Sequence, residues 1–244
     1  MIAADLTEPL IGALATLSVA VVGGLVTLYA PDFKRRRDQR REAEELEARY
    51  RSSLLTAAYD LQSRLYSIAG QEFLRFYWNE DRFYAETSTL WLIGQYLGWV
   101  EIFRRDAGLA LGGDKRGDRL LALLAQIQAI FATDAPELGY MRVFRSHQSA
   151  IAEVMISDEG RGTRRVKCLG YATFVKRLND QDFARWFSHV RDDLEALAGR
   201  EGMAGATRVA TLQNHLVELI EFLDQGTVIA LRATVPGSPS APTT

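Results

Sequence analysis

Twenty-one consecutive positions, Leu10 to Ala30 (LIGALATLSVAVVGGLVTLYA), carry no charged side chain. As a helix at 1.5 Å per residue the run is about 31 Å long, close to the thickness of a bilayer's hydrocarbon core. An amphipathic helix of that length in water needs a polar stripe. Only Thr16, Ser18 and Thr27 interrupt the apolar run, and their hydroxyls can bond back to carbonyls within the same helix. The pattern predicts a transmembrane helix. Lys34, Arg35, Arg36, Arg37, Arg40 and Arg41 follow at once, whereas Asp5 and Glu8 precede it with no cation. The positive-inside rule then places residues 1–9 outside and everything after Ala30 in the cytoplasm, anchored in the inner (plasma) membrane. The run lacks the positive flank and short apolar core of a cleaved signal peptide, so it is expected to remain as an anchor.

Beyond the span the periodicity changes to that of amphipathic helices. Pro31 to Ala69 reads as one long helix, with Leu46, Tyr50, Leu54, Ala57, Leu61, Leu65 and Ile68 on one face. Its early turns mix Glu and Arg at (i, i+4), the pattern of a solvated stalk. A dense aromatic block follows between Tyr66 and Phe103. Within it, Thr87, Ser88 or Thr89 is placed to cap a helix running to about Leu111, ended by Gly112 and Gly113. Further helices are predicted over Asp118–Thr133, near Tyr140–Ile156, over Asp180–Ala198 and over Gly205–Gln225. Ser157–Gly170 reads as a loop, and 227–244 as a tail, disordered from Pro236 onward. The expected architecture is therefore all-α. One N-terminal transmembrane helix (10–30) leads into a basic segment and long helix (31–69), and then into a multi-helix cytosolic domain (70–226).

Composition adds limits. Hydrophobic residues make up 48% and charged residues 25%, ordinary for a folded domain. Residues 1–33 carry −3 and residues 34–41 carry +5 against a total of −2, so the remainder carries −4. A mildly acidic domain offers no general footing for duplex DNA, which is not expected as a partner. Cys168 is the single cysteine, so no intrachain disulfide can form.

Four features bear on function. In the span, Gly12, Thr16, Ala20 and Gly24 recur every four residues, and such small residues let membrane helices approach closely. A homo-oligomer is the expectation. A pore lined by Thr16 and Thr27, with the Lys34–Arg41 cations at its mouth, is a bolder version, although no ionisable filter lies within the span. The basic flank itself is expected to face lipid headgroups. A second basic cluster, Arg142, Arg145, Arg161, Arg164, Arg165 and Lys167, lies near Tyr140, Phe144 and Tyr171. Arginines beside aromatics suit an anionic nucleotide or oligonucleotide; the simpler reading is an exposed loop whose arginines pair with Glu153, Asp158 and Glu159. The aromatic block reads mostly as core, with Tyr77, Trp78 and Tyr84 as an alternative surface against headgroups.

Signs of catalysis are weak. His189 with Asp192 and Asp193, and His215 with Glu218, are too few ligands for a zinc site, so no metal or cofactor is expected. Gly112 to Asp118 lacks the ending of a phosphate loop and reads as helix-end turn chemistry. No GxSxG, HExxH, kinase or dinucleotide signature occurs. Lys167, Arg164 and Arg165 beside Cys168 would depress its pKa, yet no histidine lies close in sequence to make it a nucleophile. A hydrolase or transferase built on Glu153 or Asp192 needs convergent carboxylates in a cleft.

Several stretches resemble a family of bacterial membrane-anchored proteins of uncharacterised activity: LLTAAYDLQSRLYSI (54–68), TLWLIGQYLGWVEIFRR (89–105), FRSHQSAIAEVMI (144–156), CLGYATFV (168–175) and FARWF (183–187). The resemblance implies a single anchor with a helical cytosolic domain and transfers no functional residue. The architecture is also similar to the membrane effectors of bacterial anti-phage systems, which breach or depolarise the inner membrane when a nucleotide signal changes. Two functions are thus expected in order: a non-enzymatic anchored homo-oligomer whose helical domain binds a ligand or partner, and an ion channel or membrane-disrupting effector gated by that domain.

Overall fold

The structure is a computed structural model and describes residues 50–107, 115–157, 166–199 and 206–224. All of them belong to one compact unit, 46–244. The predicted span, its basic flank, the small-residue stripe and the C-terminal tail lie outside the described residues. Among the described residues no helix is long and apolar enough to cross a membrane. They are all helical apart from connectors and one isolated antiparallel bridge.

Helix α1 (50–70) is the described end of the expected long helix; residues 31–49 lie outside the description. Tyr50, Leu54, Ala57, Leu61 and Leu65 are buried, the face that the spacing marks. The chain turns through Gln71 and Glu72, the latter in the left-handed region at φ 53°. It continues as α2 (Phe73–Glu80), a helix that the periodicity does not reveal.

Helix α3 (Arg82–Ala107) is the longest described helix and the centre of the domain. Leu90, Ile93, Tyr96, Leu97, Val100, Ile102 and Phe103 are buried around most of its circumference, as a helix packed on all sides requires. Its cap differs from the expectation. Asp81 Oδ1 accepts the Tyr84 N–H at 3.0 Å, which places the cap six to eight residues earlier. Thr87, Ser88 and Thr89 sit inside the helix, and their hydroxyls donate back to the carbonyls of Phe83, Tyr84 and Ala85 at 2.6, 2.5 and 2.7 Å.

Helix α5 (Arg145–Met155) lies close against α3 because Gly94 and Gly98 carry no side chain there. A Cβ on Gly98 would come within 2.7 Å of Cys168 Sγ, and one on Gly94 within 3.0 Å of Met155. The expected helix near Tyr140 begins late, at Arg145. Met141 adopts φ 70°, and the N–H groups of Met141 and Arg142 both donate to Asp193 Oδ2, at 2.7 and 3.2 Å. A carboxylate from the later helix α8 (Ser188–Ala198) thus takes the amides that would have started a helix. After α5, Ile156 and Cys168 form the bridge, with Leu169 N–H donating to Met155 O at 2.8 Å.

Helix α4 (Lys115–Ala132) packs on α9 (Thr207–Asp224). Arg208, 1% exposed, donates to the carbonyls of Ile130 and Thr133 at the end of α4. A cation at a helix C-terminus answers both the orphan carbonyls and the dipole. Arg51 Nε does the same for α9, donating to Leu223 O at 2.6 Å.

The expected helix over Asp180–Ala198 is broken in two. Helix α7 (Gln181–Ala184) and α8 (Ser188–Ala198) are separated by a turn at 185–187, and α6 (Tyr171–Arg177) precedes them. Phe174, Phe183 and Phe187 meet there with centroids 5.2–5.7 Å apart.

Candidate functional site

The α1 face opposite the core meets α2, α3 and α6 around a cleft of about 420 Å³. Its walls are aromatic: Tyr59, Phe73, Tyr84, Trp91 and Tyr171. Trp91 and Tyr171 stand edge to face, centroids 5.6 Å apart. Each ring is held by a bond made elsewhere. Trp91 Nε1 donates to Leu169 O at 2.9 Å. The Tyr171 hydroxyl shares a 2.8 Å hydrogen bond with Thr87 Oγ1. Burying those polar tips leaves the ring faces as apolar contact surface.

The floor comes from α1. Asp60, Ser63, Arg64 and Ser67 share one face by helical spacing. Ser67 Oγ donates to Ser63 O at 3.0 Å. Asp60 and Arg64 stand at (i, i+4) with the acid N-terminal, the better orientation for an ion pair, yet they form none. Arg64 turns instead to the rings: its guanidinium lies 3.9 Å from the Phe73 centroid and 5.5 Å from that of Tyr84, and Nη2 donates to the Tyr84 hydroxyl at 3.4 Å. The Asp60 carboxylate has no hydrogen-bond or ion-pair partner among the described residues, and burial pushes its pKa above the ordinary value.

The basic cluster is distributed differently from its sequence neighbourhood. Arg161, Arg164 and Arg165 lie outside the described residues. Arg145 and Lys167 are exposed. Arg142 is half-buried, paired with Asp134 and stacked 4.6 Å over the Phe144 ring. It borders a second cavity of about 440 Å³, with Tyr140, His189, Asp193 and Arg208. Arg208 there is structural by its bonds to α4. Burial lowers its pKa most and the Arg142 charge lowers it further, while Asp193 and Asp134 oppose.

The remaining candidates fall into place as follows. Cys168 is not activated: burial pushes its thiol up to about 12, the reverse of what flanking cations suggest, because Sγ is packed against Gly98. Asp193 is occupied by the two amides, and His215 lies 3.7 Å from Glu218. No group of three metal-ligating side chains occurs among the described residues. Lys115–Asp118 form the first turn of α4, while 112–114 lie outside the description. The aromatic block divides. Tyr96 and Phe103 are core, but Phe76 is 58% and Phe83 63% exposed, with Tyr77 and Tyr84 also exposed and Trp78 under Arg82 at 4.7 Å.

The sequence marks Phe73, Tyr84, Trp91 and Tyr171 and places Leu54–Ile68 on a helix, but it does not single out Tyr59, Asp60, Ser63 or Arg64. The available signal is an acid–base pair and serines interleaved with that helix's core positions. Comparison with protein-family models, with curated proteins and with solved structures finds no match.

Proposed function

We propose that this chain is a non-enzymatic, single-pass membrane protein that self-associates and uses its helical domain to bind a small ligand in the cleft between α1, α2, α3 and α6. The anchor and its orientation rest on the uncharged Leu10–Ala30 run and the six cations behind it; self-association rests on Gly12, Thr16, Ala20 and Gly24. One observation carries the binding reading. A cleft of ligand size is walled by rings whose polar tips are satisfied, while a carboxylate on its floor is unmatched. Such a mostly apolar hollow with few convergent polar groups is the usual form of a small-molecule site. The other titratable side chains in its walls are Arg64 and tyrosines, a set that favours holding a ligand over moving protons.

The test uses the full chain. Membranes washed at alkaline pH should retain the protein in the pellet; release into the supernatant removes the anchor. Reconstituted protein is then screened by thermal shift with aromatic cations, neutral aromatics, and anions including AMP. Ser63→Trp, which fills the cleft from an open position, should abolish the shifts, and Arg145→Glu should not. The opposite pattern would move binding to the basic cluster around Arg142, and no shift from any class would remove the binding reading.

A further inference from the structure

The proposal that follows rests on the cleft being a ligand site and names the chemistry it takes. Its polar groups can be assigned one by one. Trp91 Nε1 is spent on Leu169 O, the Tyr171 hydroxyl on Thr87, the Tyr84 hydroxyl on Arg64, Ser67 Oγ on Ser63 O, and Ser88 Oγ on Tyr84 O. Tyr59 is engaged as well. What remains is the Asp60 carboxylate, the Ser63 hydroxyl three residues on, and Nη1 of Arg64, whose guanidinium is stacked on Phe73. Asp60 and Ser63 sit on one face of α1, and a carboxylate only accepts hydrogen bonds when ionised.

The walls select in the same direction. Aromatic faces attract cations through the ring quadrupole. The structure contains an example of that preference: the Arg64 guanidinium lies 3.9 Å from the Phe73 centroid in place of an ion pair with Asp60 four residues earlier. The rings at this end of the cleft therefore already hold a planar cation. Trp91 and Tyr171 carry no stacked cation among the described residues.

We infer that the cleft binds a small organic cation, a planar ammonium, amidinium or guanidinium compound. Its donors reach Asp60 and Ser63, and its body lies against Trp91 and Tyr171. The carboxylate supplies the charge, the rings supply apolar area and quadrupole attraction, and a volume of about 420 Å³ suits a ligand of one or two rings.

Three probes of the same shape separate charge from shape: benzamidinium, neutral benzamide and anionic benzoate, titrated calorimetrically into the full-length reconstituted protein. Benzamidinium should bind at least tenfold more tightly than benzamide or benzoate. Asp60→Asn, which keeps the side-chain shape and removes the charge, should weaken benzamidinium at least tenfold while leaving the melting temperature unchanged or higher. Ser63→Ala should weaken it severalfold. Equal binding of the three probes, or undiminished benzamidinium binding in Asp60→Asn, overturns the assignment of ligand charge. In that event binding that Ser63→Trp still blocks would keep the cleft as a ligand site. If none of the probes binds, or Ser63→Trp changes nothing, the cleft reading falls together with the cation.

Discussion

Gly98→Ala tests a close approach of α3 to its neighbours. An added Cβ would stand 2.7 Å from Cys168 Sγ and 3.3 Å from Met155 Cβ. The first distance is shorter than any ordinary carbon–sulfur contact, and Cys168 cannot retreat as a whole because its backbone is tied to Ile156 in the bridge. Overpacking of this kind costs about 1–3 kcal/mol. Against it stands the gain of about 1 kcal/mol from replacing glycine by alanine within a helix. The net expectation is a loss of about 1 kcal/mol. Cys168→Ala alone should also cost about 1 kcal/mol, since it leaves a small void beside Gly98. Together the two changes exchange one heavy atom for another in the same space. The double variant should therefore be more stable than the sum of the singles implies, with a coupling of about 1–2 kcal/mol. Full recovery is not expected, because the Met155 contact at 3.3 Å persists.

The assay is urea unfolding of the four full-length proteins in one detergent at one pH, followed by far-ultraviolet circular dichroism. Free energies additive within about 0.5 kcal/mol would refute the reasoning, because residues without a shared contact behave that way. A Gly98→Ala variant more stable than the parent would refute it differently: the thiol would then rotate aside at no cost, leaving only the helix propensity gain.

Two further outcomes follow from the caps and the cleft. Asp81→Ala should destabilise the domain by about 1 kcal/mol through loss of the bond to Tyr84 N–H, whereas Ser88→Ala should cost clearly less, since its hydroxyl only duplicates a helix carbonyl bond; equal losses would contradict the cap assignment. For Asp60, burial raises the folded pKa, so the folded state binds the proton more tightly than the unfolded state and the carboxylate lowers stability as pH rises. Arg64, Tyr59, Tyr84 and Tyr171 face the same cleft. Asp60→Asn should therefore match the parent below the ordinary carboxyl pKa of 3.8 and exceed it increasingly as pH climbs through and beyond that value. Unfolding curves at pH 3 to 7 check this, and a parent that gains on the variant with rising pH would reverse the assignment.

The core was the readable part. In α9 the spacing of Val209, Leu212, Leu216, Leu219, Ile220 and Leu223 marks the buried face, and all six are buried. The same holds for Leu54, Ala57, Leu61 and Leu65 in α1. These positions are legible because each obeys a local period that the solvent boundary imposes. The misread boundaries share a different origin. Thr87, Ser88 and Thr89 resemble caps, but Asp81 takes that role and their hydroxyls turn inward along the helix. The start of α5 is delayed because Asp193, some fifty residues away, binds the Met141 and Arg142 amides. Arg208 breaks the apolar face of α9 because two carbonyls of α4 meet it there. None of these partners lies within a helical window.

The cleft is harder still to read in one dimension, because its chemistry is a remainder. Asp60 and Arg64 at (i, i+4) look in sequence like a routine surface pair, worth a few tenths of a kcal/mol. They part because α2 and α3 bring Phe73 and Tyr84 within reach of the guanidinium. Trp91 belongs to the aromatic block that reads mostly as core and Tyr171 to the neighbourhood of the basic cluster, yet the bonds to Leu169 and Thr87 hold both along the cleft. Only when four helices have taken their shares does a carboxylate stand unmatched among aromatic walls. A residue left over by tertiary structure leaves no local pattern. Its charge in a half-buried position is unfavourable to the fold, and an incoming donor would offset that penalty. The domain's stability and its affinity for a cation are thus opposed through one side chain, so Asp60→Asn should raise the first while lowering the second.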